Sequence, residues 1–452
     1  MVSLSLLRRF TIVGGAFFVL LMLHLHSSTT TYRSPALLEH ARQSASRPNQ
    51  YIRKQPVAGN TTQITPNVVQ KADDQEQSNA RENAQCLTVN RSVIFVKTHK
   101  TGSSTVSTTF IRYADEKHLK IALPIFTHIF HEVKPFHHRM VLSVGDMKEF
   151  NVLANHARYN KHEMDQVVDR AIYVTIIRNP VQQFESAFSY FGMAKNLGLP
   201  DDDNALDAFL QRPEFYFYNF NYHMRTQSWN GQMFDLGVDH EYHLNDSTVE
   251  KKILQLDKEI DLVMLKEYFD HSMVLLRRLL CWDWMDVIYI AKAVRAKRFR
   301  HVITNSLANK IQKWNSADVK LYDHFNRTFW RKVQEYGSNF YEDLQYFREL
   351  NHNISEICLD KDSDSTYDKR VDARLLKSDA PDFCHNLKRE EVPYIRWIKW
   401  RYVCHYMLLP SFVILIFICA SVYIFKCWYC NSWDDKIHGV YEPVRDHEIR
   451  DW

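Results

Sequence analysis

Ser92-Val-Ile-Phe-Val-Lys-Thr-His-Lys-Thr-Gly-Ser-Ser-Thr105 sets a short apolar, β-branched run directly against a polar loop. Ser92–Val96 reads as a buried strand, Lys97–Thr105 as a loop, and Thr105 to about Lys117 as the helix that follows. The loop combines Lys97 and Lys100 with a single glycine, Gly102, and the hydroxyls of Thr98, Thr101, Ser103, Ser104 and Thr105, with His99 between. N–H groups at a helix N-terminus point outward and the helix dipole favours an anion there. Gly102 permits close backbone approach and Lys100 adds a point charge, so the loop reads as a phosphate cradle rather than a solvated polar turn. It is not a Walker A loop, which needs Gly-x-x-x-x-Gly-Lys-Ser/Thr.

Working outward, Ala171–Ile177 is a second buried strand, running into Arg178-Asn179-Pro180. Pro180 suits the first turn of a helix whose apolar positions include Phe184, Phe188 and Phe191. Arg178 closes the strand and Ser186 sits two turns into the helix; an Arg fork there suits phosphate oxygens. Ile260–Leu265 is a third strand, followed by a helical stretch over Tyr268–Leu280, and Met140–Val144 reads as a further strand. Ser316 is placed to cap a long helix reaching about Tyr336. Continuous apolar strands alternating with helices predict an α/β domain with a mainly parallel central sheet flanked by helices. Ligands of such sheets bind at the carboxyl ends of the strands, where both loops fall.

His99-Lys100-Thr101-Gly102-Ser103-Ser104 and Arg178…Ser186, in that order, resemble the donor-binding elements of Golgi carbohydrate sulfotransferases, a P-loop-like fold. Phe95–Thr105, Asn155-His-Ala-Arg-Tyr-Asn160, Trp229-Asn-Gly-Gln-Met-Phe-Asp-Leu-Gly237 and Leu265–Trp282 narrow the resemblance to the galactose-3-O-sulfotransferases, which include galactosylceramide sulfotransferase. It covers roughly residues 90–350. It implies 3′-phosphoadenylyl sulfate (PAPS) as donor, a galactose-terminated glycolipid or glycoprotein as acceptor, and sulfation of the 3-hydroxyl. By the same token Lys100 meets the donor's bridging oxygen, Lys97 is its understudy, and Ser103, Ser104 and Thr105 hold the 5′-phosphate. Arg178 and Ser186 hold the 3′-phosphate.

Transfer to a hydroxyl needs a base, and imidazole titrates in the useful range. His156, between the Met140–Val144 strand and the Arg178 loop, is the choice among 22 histidines; His128 and His131 stand in reserve. Trp229, Asn230 and Asp235 are candidates for holding the sugar. His137-His138 and the other histidines show no ligand spacing with Cys or carboxylates, so no metal is expected. A P-loop kinase would need a Gly-Lys-Ser/Thr that this chain lacks; a receptor with a degenerate sulfotransferase-like domain is the alternative.

The chain has 452 residues, 45% apolar and 24% charged, with a net charge of +4, so composition offers no case for nucleic-acid binding. Residues 1–9 read as a cytoplasmic N-terminus and 10–26 as a signal anchor, the apolar run Phe10–Leu25 following Arg8 and Arg9. Residues 27–85 are polar and poor in aromatics, a flexible stem. The catalytic domain is expected over 86–358, a connector over 359–406, a second membrane helix over 407–425 and a tail over 426–452 carrying Cys427 and Cys430. A second span is unexpected for the family, as is the basic stretch Ala291–Arg300, which either touches the nucleotide or is a solvated helix face. Sequons at Asn60, Asn90, Asn245, Asn326 and Asn353 and four cysteines, Cys86, Cys281, Cys358 and Cys384, fit a Golgi-lumenal body. Two disulfides with three possible connectivities are open to those cysteines; a free buried thiol would suit Cys281 best.

Overall fold

The computed structural model describes residues 89–144, 147, 149–200, 202, 204–291, 294–295, 301–365, 371–408 and 413–425. The chain packs as two units. The larger runs to Leu142 and resumes from Glu149 to Pro393; the smaller takes Ser143–Lys148 and the chain from Tyr394.

In the larger unit the strands are β1 (Val93–Val96), β2 (Ile121–Ala122), β3 (Ile129–Pro135), β4 (Val152–Leu153), β5 (His156–Arg158), β6 (Ile172–Ile177), β7 (Leu262–Leu265), β8 (Val294–Arg295), β9 (Leu359–Ser365) and β10 (Val371–Leu376). Five form the central sheet in the order β2-β4-β1-β6-β7, and every pairing in it is parallel. Val93 to Val96 are fully buried, as a strand covered on both faces must be. β1 registers on β6 with Val93 opposite Ile172, and β6 on β7 with Val174 opposite Leu262. The carboxyl ends of these three neighbours therefore share one edge of the sheet. Helices α1 (Ser103–Glu116), α2 (Pro180–Tyr190) and α3 (Phe269–Leu280) follow β1, β6 and β7 in turn, as the three-strand reading anticipates.

Met140–Val144 is not a strand. Val141 makes only an isolated antiparallel bridge to Pro124. Two backbone bonds, Leu142 N–H to the Leu123 carbonyl and Ile125 N–H to the Met140 carbonyl, hold that pair, too few to make a ladder. The long helix Ser316–Tyr336 forms as expected, but Asn315 rather than Ser316 occupies its cap.

The larger unit does not stop at residue 358. β9 and β10 pair antiparallel, β8 joins β10, and a disulfide links Cys358 to Cys384 in the helix Asp382–Lys388. The first part of the expected connector is thus structural. The bridge closes a separation of 26 residues, which the chain-entropy account values at about 3–4 kcal/mol. Cys384→Ser should lower the denaturation midpoint accordingly, read by urea unfolding without reductant. Cys281 is disulfide-bonded too, not a free thiol.

In the smaller unit residues 413–425 form a helix whose apolar side chains, Val413 to Ile418 and Val422 to Phe425, are exposed. Among the described residues no helix is long and apolar enough to cross a membrane. The Met407–Phe425 run is described only in part, since 409–412 fall outside the described residues. The signal-anchor run, the stem, Asn60, Cys86, the tail and most of Ala291–Arg300 lie outside the described residues.

Candidate active site

The first donor loop is built by what β1 cannot continue. Lys100 and Gly102 both take left-handed backbone, φ 63° and 79°, and Gly102 starts α1. For Lys100 that conformation costs on the order of 1 kcal/mol, stored strain of the kind sites retain. Hydroxyls then lock the loop: Thr98 Oγ1 pairs with Thr101 Oγ1 at 2.9 Å and donates to the Ile176 carbonyl, and Ser103 Oγ donates to the Thr98 carbonyl at 2.5 Å. These three hydroxyls brace the backbone. The N–H groups of Ser103 and Ser104 are the ones a first helical turn leaves without intrahelical acceptors. Lys100 Nζ lies 3.5 Å from the centroid of the exposed Tyr190 ring.

Lys97 departs from the expectation. Its ammonium is 2% exposed and sits 2.6 Å from both carboxylate oxygens of Glu391, so its charge is already neutralised. Ser107 of α1 adds a 3.5 Å contact to the same carboxylate. Lys97 serves the site through its backbone instead. His156, on β5, places Nδ1 3.2 Å from the Lys97 carbonyl. A carbonyl only accepts, so Nδ1 carries the proton and Nε2 keeps its lone pair. Burial foremost, then the neighbouring Lys97 and His99, hold the His156 pKa well below the usual imidazole range, against the pull of the Lys97 hydrogen bond. The ring is a neutral base near pH 7.

His99 stacks on His156 with ring centroids 4.0 Å apart and planes inclined 14°. Asp235 holds it there, accepting from the His99 N–H at 2.7 Å and facing Nδ1 at 3.0 Å. The Arg178 loop is pinned from the same segment. Arg178 donates its backbone N–H to Gln232 Oε1 at 2.7 Å, and Gln232 Nε2 donates to the Arg178 carbonyl at 2.9 Å. Gln183 Nε2 reaches the His99 carbonyl at 3.1 Å, and the Arg178 guanidinium donates to the Lys100 carbonyl at 3.2 Å. Asn179 caps α2 by accepting from the Val181 N–H. Trp229–Gly237 is therefore the buckle that fastens both loops to one another. Its own short helix, Gly231–Asp235, hangs on Asp318, whose buried carboxyl accepts from the N–H groups of Gln232 and Met233 and is pushed up to about 7 by burial.

That accounts for the residues expected to hold a sugar. Trp229 packs on the aromatic core, 5.1 Å from the Trp314 ring, and donates its indole N–H to the Trp314 carbonyl. Asn230 is fully buried, bonded to Asn315 and Asp318. Asp235 serves His99. All three are occupied in packing or bracing. His128 is exposed and near enough for its charge to bear on His156, while His131 Nδ1 accepts from the N–H groups of Val133 and Lys134. Thr105 is buried at the start of α1, and Ser186 is half-buried on α2, without a side-chain hydrogen bond among the described residues.

Sequence reasoning missed four participants. Glu163 joins His137 and His138: His138 Nδ1 stands 2.6 Å from Glu163 Oε2, and His137 Nδ1 already accepts from the Arg139 N–H. One ligand atom from each lies within 4.8 Å of the other two, so the three could hold a metal ion, a grouping with a carboxylate that the sequence spacing did not show. Gln232 lay inside a quoted segment but carried no chemistry of its own. Glu391 gave no signal at all. Lys266, the residue after β7, lies across Gly102: a Cβ there would stand 2.8 Å from its Cδ. Of the sequons, Asn245 is exposed but caps a helix with its side chain, Asn326 and Asn353 lie within helices, and Asn90 bonds the Leu279 carbonyl.

A cationic strand–loop–helix cradle with a neutral imidazole beside it is a group-transfer arrangement, suited to moving an anionic group from a phosphorylated donor. The galactose-3-O-sulfotransferase family model matches residues 15–379. Mouse (Mus musculus) galactosylceramide sulfotransferase is 32% identical over 351 residues, 75% of this chain and 80% of its own. Human (Homo sapiens) galactose-3-O-sulfotransferase 3 is 37% identical over 273 residues, 59% of this chain and 63% of its own, and human galactose-3-O-sulfotransferase 2 is 34% identical over 275, 59% and 68%. The chain belongs to the galactose-3-O-sulfotransferase family and is a carbohydrate sulfotransferase.

Proposed function

We propose that the chain transfers the sulfuryl group of PAPS to a galactose 3-hydroxyl on a glycolipid or glycoprotein, in the Golgi lumen and anchored to the membrane. The observation that carries this reading is His156, held neutral with its proton on Nδ1, directly against the cationic loop. The family's named relatives act on galactose and on galactosylceramide, which supports the acceptor class. The exposed apolar helix 413–425 supports the membrane.

The step is an in-line displacement. Nε2 of His156 takes the proton of the acceptor hydroxyl, the acceptor oxygen bonds to sulfur, and the bond from sulfur to the bridging phosphate oxygen breaks. Adenosine 3′,5′-bisphosphate leaves with the electron pair. Charge building on that oxygen meets the N-terminus of α1 and Lys100. Lys100 reaches it by leaving the Tyr190 ring, where an exposed cation–π contact is worth only about 0.5–1 kcal/mol. A charge-assisted bond in a dry site exceeds that.

Lys100→Ala should lower kcat roughly 10²–10³-fold, the scale on which a single stabilising donor acts, with the acceptor KM little changed. Steady-state transfer of radiolabelled sulfate from PAPS to a galactoside checks this; a loss under threefold removes Lys100 from the step. Because only neutral His156 can act as base and its pKa is depressed, the acid limb of the kcat/KM profile should fall below pH 6.5. A limb above pH 7 contradicts the assignment.

A further inference from the structure

We propose that Lys266 is the third cation of the donor site and binds a phosphate oxygen of the sulfate donor beside Gly102 and Arg178; the proposal rests on the donor reading above. The three neighbouring parallel strands β1, β6 and β7 each release a cation from the carboxyl end: Lys100, Arg178 and Lys266. Lys266 runs across the N-terminus of α1, with Cδ, Cε and Nζ at 2.8, 3.0 and 3.2 Å from where a Gly102 Cβ would stand. Glycine is favoured at residue 102 by its φ of +79°, and a Cβ there would push this flexible lysine stem off the turn.

The ammonium is placed at a cost. Burial first, then the charge of Arg178, pull its pKa down. The acids that pull the other way are both engaged elsewhere. Glu267 accepts from the Asn179 N–H at 3.0 Å and the Tyr322 hydroxyl at 3.2 Å. Asp270 accepts from the Tyr289 hydroxyl at 2.8 Å and Arg348 Nε at 3.0 Å. The contact left to the Lys266 ammonium is the Phe269 ring, 4.6 Å away. Two cations and a positive helix end turned toward one spot, with no carboxylate among the described residues bonded to the lysine, leave a place for an anion. The structural alternative, a lysine that merely covers Gly102 with its methylenes, predicts the opposite response to losing the charge.

The test replaces the charge and keeps the stem. Lys266→Met, Lys266→Arg and the parent, as full-length chains in detergent, are titrated calorimetrically with adenosine 3′,5′-bisphosphate, and each is melted without ligand. Lys266→Met should weaken binding roughly 10- to 100-fold, the range of one hydrogen bond to a charged group. It should raise the donor KM and leave the acceptor KM alone, while the unliganded protein melts at the same or a higher temperature. Lys266→Arg should retain most of the affinity. Binding by Lys266→Met within twofold of the parent, or a lowered melting temperature with unchanged affinity, overturns the proposal. A folded parent that does not bind the nucleotide overturns the donor reading itself and this proposal with it.

Discussion

Replacing His156 with Ala abolishes transfer down to roughly 10⁻²–10⁻⁴ of the parent kcat, the contribution of a positioned general base, with donor affinity within a few-fold of normal. The separation of the two effects follows from the geometry. His156 faces the loop through the Lys97 carbonyl and the His99 ring, away from the Gly102 turn and the Arg178 guanidinium assigned to the donor phosphates. His156→Gln keeps a side chain able to donate to the Lys97 carbonyl and should be nearly as inactive, because an amide cannot take the proton. A His156→Gln enzyme retaining a tenth of the parent rate would show that the base lies elsewhere, with exposed His128 the next group to test. Asp235→Asn acts one step removed: it weakens the hold on His99 and on the donor loop, shifting the acid limb of the pH profile through the stacked ring and raising the donor KM.

The second large effect concerns a residue far from the chemistry in sequence. Glu391→Ala leaves Lys97, 2% exposed, as an unpaired buried ammonium, and breaking such a pair from one side costs about 3–5 kcal/mol. That is a large share of the stability of a whole domain. The double variant Lys97→Met/Glu391→Leu removes both charges and should recover most of the loss, since an apolar replacement of the full pair is often neutral. Urea denaturation of the three variants measures the coupling. A single-variant loss below 1 kcal/mol would mean that the pair is hydrated and that the segment after Cys384 does not clamp the donor loop. The same pairing predicts that a chain ended at residue 379, where the family match stops, retains the sheet but has a loosened Lys97 carbonyl and so a misdirected His156.

The elements that position the site were legible where chemistry and periodicity are local. Ser92–Val96 with its polar loop, Ala171–Ile177 with Arg-Asn-Pro, and Ile260–Leu265 each announce a buried strand ending in a turn, and β1, β6 and β7 fall within those bounds. Lys100, Gly102, Arg178 and His156 could be picked because each has a chemical property that stands out in its own segment. What stayed hidden is pairing through space. Lys97 and Glu391 are 294 residues apart, and nothing in either neighbourhood names the other. Lys97 therefore read as a second donor lysine. Trp229, Asn230 and Asp235 read as a sugar platform for a related reason: an aromatic beside polar groups has the same composition whether it faces a ligand or fastens two loops. Met140–Val144 has strand composition, but among the described residues it pairs only through an isolated bridge, Val141 with Pro124. Cys281 sits at the end of an amphipathic helix that suits a buried thiol, and sequence carries no sign of which cysteines oxidise.

The most direct test of the central claim is sulfate transfer from radiolabelled PAPS by the full-length chain, with galactosylceramide, N-acetyllactosamine glycans and a uronic-acid polymer as acceptors, alongside Lys100→Ala. Label appearing on a galactoside, absent from the uronic-acid polymer and lost with Lys100→Ala, is the predicted result. A folded chain that binds no PAPS, or that sulfates a galactoside equally well without Lys100, would contradict it.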